Sequence, residues 1–197
     1  PPGRAQPGAS FDVLGEAIRG AAPDGSGDPS AVVLSDGPEN SAWWEHRELA
    51  RSLGLPVVKP AQLHTRGTRL YAELGQVRPR EVQVVYRRTD EDALHDARGE
   101  RTWLADLLLE PYAAGNLGIV NAPGTGVGDD KLTHAYVDEM IRFYLGQEPL
   151  LPATRTYDLS ITEARDDVLK RLEELVVKPR AAYGGEGVVI GRQARRD

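Results

Sequence analysis

The chain of 197 residues contains no cysteine. That removes disulfides, thiolate nucleophiles, iron–sulfur clusters and every zinc site built on cysteine. Histidine is scarce as well: His46, His64, His95 and His134 are the four, they lie far apart, and none belongs to an HExxH pair. A histidine-rich metal centre is therefore not expected. No G-x-S-x-G nucleophile elbow is present. No apolar run approaches the ~18–20 residues of a membrane span, and no signal-peptide core is present, so a cytoplasmic protein with no membrane partner is expected. Positive charge is in deficit, with 24 Lys and Arg against 30 Asp and Glu and a formal net charge of −6. A general nucleic-acid binder needs a basic face to displace counterions, so no nucleic-acid partner is expected.

What is present is ordinary for a folded protein: 40% hydrophobic and 27% charged residues. At ~100–200 residues per domain, the length allows one domain or two small ones. The chemistry left open rests on backbone amides, lysines, arginines and carboxylates, which points towards phosphates. Residues 1–30 hold 5 Pro and 6 Gly, yet Phe11, Leu14 and Ile18 fall at helical spacing and predict one short helix over 10–21. From Ala31 the pattern alternates. Ala31–Leu34, Leu55–Val58, Val82–Tyr86 and Leu117–Val120 read as strands, and Leu63–Tyr71 as a hairpin turning near Arg66-Gly67. Between them, Asn40 or Ser41 caps a helix running to Leu53, and Thr102–Ala114 reads as another. Such alternation predicts an α/β layer with parallel pairing.

The last third predicts two helices. Leu132, Tyr136, Met140 and Phe143 form one apolar stripe ending at Gly146. Ser160 and Glu163 have the spacing of a capping box, with Asp166–Lys170 and Asp167–Arg171 as i,i+4 pairs and Val168, Leu172 and Leu175 on the buried side. The segment Leu175-Val-Val-Lys-Pro-Arg-Ala-Ala-Tyr-Gly-Gly-Glu-Gly-Val-Val-Ile190 then reads as strand, loop, strand. Lys178 ends an apolar strand, where an unpaired buried ammonium is costly and an anion would relieve it. Gly184, Gly185 and Gly187 lack side chains, so backbone N–H groups could approach phosphate oxygens. A hairpin with a flexible tip and a solvated lysine reads the same residues equally well.

A second glycine-rich run, Asn121-Ala-Pro-Gly-Thr-Gly-Val-Gly-Asp-Asp-Lys131, joins a strand to a helix. It fails Walker A, because Gly128 precedes Asp-Asp-Lys-Leu, and it fails G-x-G-x-x-G at Asp129. Read plainly, it is a turn leading into a helix whose N-terminus favours Asp129 and Asp130. Arg87 and Arg88 follow a strand. One of them fits a phosphate or a substrate carboxylate through its guanidinium fork, and a local pairing with Asp90, Glu91 and Asp92 fits as well. Asn40 and Ser41, at a helix start, are candidates for holding an anionic substrate, or simply cap the helix.

Several runs occur in a telling order: Gly37-Pro-Glu-Asn-Ser-Ala-Trp-Trp-Glu-His46, Val85-Tyr-Arg-Arg-Thr-Asp90, Ala114-Gly-Asn-Leu-Gly-Ile-Val-Asn-Ala-Pro-Gly-Thr-Gly-Val-Gly-Asp-Asp-Lys131, Met140-Ile-Arg-Phe-Tyr-Leu-Gly146 and Val176-Val-Lys-Pro179. Together they resemble the circularly permuted ATP-grasp family over about residues 31–191. The resemblance implies an α/β fold: a preATP-grasp-like layered α/β region at 31–128 and a partial ATP-grasp nucleotide-binding lobe at 129–197, after a Pro/Gly-rich arm at 1–30. It further implies that Lys131 and Lys178 are the two nucleotide lysines, and that Gly184, Gly185 and Gly187 close over the phosphates. The implied reaction is ATP-dependent carboxylate–amine ligation through an acyl-phosphate, usually with magnesium, on small-molecule or peptide carboxylates and amines.

The chain departs from the family pattern in two places. Ala181, Ala182 and Tyr183 stand where the family loop commonly has a further glycine and a small residue, and Tyr183 would stiffen the flap. The family's Glu and Asn metal ligands lie upstream of the matched region, so no metal ligand is expected within this chain. The chain would then be a fragment or reduced relative of a larger enzyme, completed by a companion segment or as a homo-oligomer. The alternative is a non-catalytic nucleotide-binding or scaffold module. A dinucleotide-binding domain using Gly124-Thr-Gly126 would need an acidic ribose ligand after a second strand, whereas Glu148 follows a helix and Gly146.

Overall fold

A computed structural model describes residues 7–23, 25, 27–75, 78–151, 153–182 and 184–194. The chain divides into two compact units, 1–124 and 125–197.

In the first unit, α1 (Pro7–Gly20) leads to β1 (Ala31–Leu34), α2 (Trp43–Leu53), β2 (Val57–Val58), β3 (Leu63–Arg66), β4 (Arg69–Ala72), β5 (Arg80–Val82), β6 (Val84–Arg87), α3 (Trp103–Ala113) and β7 (Gly118–Val120). Four strands make a parallel sheet in the order β2-β1-β6-β7, and β3-β4-β5 make an antiparallel one. The alternation predicted from sequence is therefore present. A strand covered on both faces can be apolar throughout, and all four residues of β1 are buried. Its two-residue period sends Ala31 and Val33 against Ile18 of α1 and Leu49 and Ala50 of α2. Val32 and Leu34 turn the other way, into a core with Leu70, Val82, Leu104 and Leu108.

The single strand expected over 82–86 is two. Val82 pairs with Leu70 in the antiparallel sheet, and Val84 pairs with Ala31 in the parallel one. Gln83 makes the transfer: its N–H donates to the Ser30 carbonyl (2.8 Å), and its side-chain oxygen accepts from the Ser30 N–H (3.0 Å). Helix α2 also begins later than expected. Asn40 Oδ1 accepts from the Ala42 N–H (2.9 Å), which forms a short turn ahead of the helix instead of capping it directly.

The second unit has α4 (Lys131–His134), α5 (Val137–Met140), a wide π-turn at Ile141–Leu145, α6 (Thr162–Lys170), and the hairpin of β8 (Val176–Val177) and β9 (Val189–Ile190). The long amphipathic helix expected over 132–146 is thus broken. Three-residue bonds from Ala135 N–H to the Leu132 carbonyl and from Tyr136 N–H to that of Thr133 tighten its first turn. Phe143 is left 81% exposed, so the stripe lacks the apolar packing that would sustain one continuous helix. The capping box at Ser160 is replaced too. Asp158 Oδ1 accepts from both the N–H (2.9 Å) and the hydroxyl (2.7 Å) of Ser160, and α6 starts at Thr162 without a side-chain cap. An ionised carboxylate is the stronger acceptor and takes the serine away from the helix. The Asp167–Arg171 pair forms as expected (3.3 Å). Among the described residues, no helix is long and apolar enough to cross a membrane.

Candidate functional site

Each unit offers a distinct cluster. In the first, β1 continues through α2 to β2 on one side and pairs with β6 on the other, so strand order reverses between β1 and β6. Open α/β sheets bind ligands in the crevice outside the strand carboxyl ends at such a reversal. Ser35 and Arg88 continue β1 and β6 there, joined by an Arg88 N–H to Leu34 carbonyl bond of 2.8 Å. Ser35 Oγ lies 2.8 Å from His46 Nδ1 and accepts from the Gly37 N–H at 3.1 Å. A serine hydroxyl that already accepts from Gly37 satisfies both groups by donating to the imidazole. Burial first, and then the nearby Arg88 charge, push the His46 pKa down, against the opposing pull of Glu45, Asp36 and Asp90. His46 is a neutral packing residue, fully interior. Gly37 has φ of 93°, and a Cβ there would fall 2.7 Å from Lys59 Cε, so glycine admits both the turn and the lysine stem.

The two arginines have different roles. Arg87 is buried, and its Nε donates to the Asn121 carbonyl (2.9 Å), Nη1 to that of Thr89 (2.9 Å) and Nη2 to Glu91 (2.6 Å). Asn121 Nδ2 returns a bond to the Arg87 carbonyl (3.0 Å). These contacts strap the ends of β6 and β7 together. Arg88, on the α2 face of the same strand, donates from Nη2 to Glu45 (2.5 Å), while its Nε is buried without a partner. Asn40 is occupied at both ends, bonding Ala42 N–H and donating to Asp36 (3.0 Å), whereas Ser41 is exposed beside it.

In the second unit, Lys131 opens α4 and reaches the glycine loop. Its Nζ donates to the Ala182 carbonyl (2.5 Å) and its N–H to that of Arg180 (3.2 Å). Asp130 caps α4 by accepting from the Leu132 N–H (2.8 Å) and forms an ion pair with Arg180. That guanidinium, helped by the Leu132 amide, holds the Asp130 carboxyl below its ordinary range. Lys178 stands exposed at the base of the hairpin. Gly184, Gly185 and Gly187 are exposed with φ of 63°, 84° and 66°, and a Cβ on Gly187 would meet Pro179 Cγ at 2.6 Å. Tyr183, expected to stiffen this loop, lies outside the described residues.

The structure therefore gathers Lys131, Lys178 and the three glycines in one unit, and Asn40, Ser41, Arg87 and Arg88 in the other. Sequence reading missed Arg180, which is fifty positions from Asp130, and the Ser35–His46 pair. Only the proximity of Arg180 to Lys178 could have hinted at the first. Among the described residues, no three His, Asp or Glu side chains come together as a metal site.

A Frankia alni (strain DSM 45986 / CECT 9034 / ACN14a) protein named "Putative glutamate--cysteine ligase 2-3" is 42% identical over 196 residues, covering 98% of this chain and 23% of its own length. An uncharacterized protein of Mycobacterium tuberculosis (strain ATCC 25618 / H37Rv) is 39% identical over 181 residues, or 90% of this chain and 32% of its own. One from Synechocystis sp. (strain ATCC 27184 / PCC 6803 / Kazusa) is 40% identical over 181 residues, or 91% and 37%. The chain thus spans about a quarter to a third of the length of these relatives. The sequence model of one family covers residues 4–197, nearly everything described above, and the chain belongs to that family: circularly permuted ATP-grasp type 2.

Proposed function

We propose that this chain takes part in ATP-dependent carboxylate–amine ligation, and that its second unit holds the nucleotide phosphates. The observation that carries the reading is the tie between Lys131 and the glycine loop: an ammonium and an exposed run of backbone amides share one small unit. Glycines in left-handed conformations turn successive N–H groups into an anion-binding concavity. Lys131, released from the Ala182 carbonyl, and Lys178 at the hairpin base supply the charge that polyphosphate needs. Family membership and the name of the Frankia alni relative support the ligase class.

In such a ligation a carboxylate oxygen attacks the γ-phosphorus of ATP and ADP leaves with the bridging oxygen. The amine then attacks the acyl-phosphate carbon, loses a proton and expels phosphate. Cationic and amide groups stabilise the charge on the transferring phosphoryl group. Among the described residues no three acidic or histidine side chains converge, and magnesium bound with ATP would take one or two carboxylates beside the phosphates.

Calorimetric titration with ATP, with and without magnesium, tests the reading on the chain and on Lys131→Ala and Lys178→Ala. Binding weakened about tenfold or more by each substitution is expected, as for loss of a charge-assisted contact. A folded chain that binds no ATP overturns the nucleotide reading. Binding that both substitutions leave untouched removes the two lysines from it.

A further inference from the structure

We propose that the crevice between the carboxyl ends of β1 and β6 binds an α-amino acid, whose carboxylate is received by Arg88. The choice of a substrate rests on the ligase reading; the binding site itself rests on the first unit alone.

Arg88 is placed for a ligand by the topology, because it continues β6 beside Ser35 where strand order reverses. Its Nε is buried with no acceptor. An unmet buried donor is costly, and a bidentate carboxylate is the ligand that engages Nε and Nη2 together. The Nη2 partner, Glu45, is 58% exposed. Exposed pairs of this kind contribute little, so a ligand carboxylate can take Glu45's place at small cost. Arg87 offers no such vacancy, since all three of its nitrogens are bonded inside the fold. An unmet buried donor at a switch point describes a site awaiting an acceptor.

The surrounding charge narrows the class. Two cations stand here, Arg88 and Lys59, whose ammonium end lies against Gly37, and three carboxylates accompany them: Glu45 paired with Arg88, Asp36 next to Ser35, and Asp90 two residues beyond Arg88. Three carboxylates against two cations make a net acidic rim, which favours a ligand with its own cation. A zwitterion answers both halves: its carboxylate goes to Arg88, and its ammonium to the rim that Glu45 rejoins on release.

Titration of the full chain with L-glutamate, and separately with glutarate, followed by amide shifts, tests the proposal. L-Glutamate should bind saturably, shift the amides of Ser35, Gly37, Arg88 and Thr89, and bind more tightly than glutarate, which lacks the ammonium. Arg88→Lys keeps the charge without the fork and should weaken L-glutamate about tenfold. Glu45→Gln, at an exposed position, frees Arg88 and should tighten glutarate severalfold. No saturable shift at these amides, equal affinity in Arg88→Lys, or glutarate preferred over L-glutamate overturns the proposal. Since Lys131→Ala is read with ATP and Arg88→Lys with the amino acid, loss of nucleotide binding with intact amino-acid binding separates failure of the ligase reading from failure of this one.

Discussion

The two units are held by different forces. In the first, Val32, Val33, Leu34, Val58, Leu70, Val82, Val84 and Val85 are wholly inaccessible, and helices and a second sheet cover both faces of the parallel sheet. In the second, Val168 is the buried large aliphatic side chain among the described residues, while Phe143, Tyr144, Leu150 and Leu151 are largely exposed. Polar ties stand in for a core there: Lys131 to Ala182, Asp130 to Arg180, and Tyr136 to Asp158 (2.6 Å). A packed core keeps one arrangement because any cavity is costly. A loop held by exposed polar ties can be released by a ligand that offers the same cations a better partner.

The largest expected effect tests whether the first unit depends on its core while the second does not. Leu108→Ala removes a fully buried side chain from the middle of α3 and should cost about 2–5 kcal/mol. All three tryptophans, Trp43, Trp44 and Trp103, lie in the first unit, so their fluorescence reads its unfolding alone. The tryptophan transition should move to lower denaturant while amide signals from 125–194 keep their own midpoint. A joint shift would mean that the two units unfold as one.

A smaller effect comes from His46 and depends on pH. Its folded pKa lies below the ordinary 6.5, so between the two values the unfolded chain binds more protons than the folded one. Stability of the first unit should therefore rise with pH through that window and level off above about pH 6.5. Below the lowered folded pKa both states carry the proton, and the His46 contribution levels off again. His46→Gln should flatten this slope in tryptophan-detected unfolding. An unchanged slope would assign it to another group.

The same contrast governs what the sequence could reveal. The strands of the parallel sheet were legible because burial on both faces writes an uninterrupted apolar run, as in Ala31–Leu34. The turn glycines were legible because backbone geometry restricts the choice of residue. The break at Gln83 was not, since only pairing with two different partners splits one apolar run into two strands. The stripe over 132–146 misled because periodicity reports a capacity to pack and says nothing of what is available to pack against. Among the candidate residues, Arg87 and Arg88 look alike in sequence. Strand alternation assigns one to the strap with Asn121 and the other to the α2 face, and it does so only once the neighbours of β6 are known. The partnership of Asp130 with Arg180 crosses fifty positions and leaves no local trace.

That partnership carries the smallest and most localised effect. Asp130→Asn removes the anion from Arg180 but keeps a side-chain oxygen able to cap α4, so the unfolding midpoint should not move measurably, as for other exposed pairs. What should change is local opening. Hydrogen exchange at the Lys131 amide, which donates to the Arg180 carbonyl, and along 184–188 should quicken in the variant. Acid should mimic the substitution with a defined sign. The Asp130 carboxyl is held below its ordinary range by Arg180, so the tie is intact above the unfolded pKa and is lost only as pH falls through the lowered folded value. Faster exchange setting in already at neutral pH would mean that the tie does not restrain the loop. A midpoint shift as large as that of Leu108→Ala would erase the contrast between the units, because an exposed ion pair would then be holding its unit as a core does.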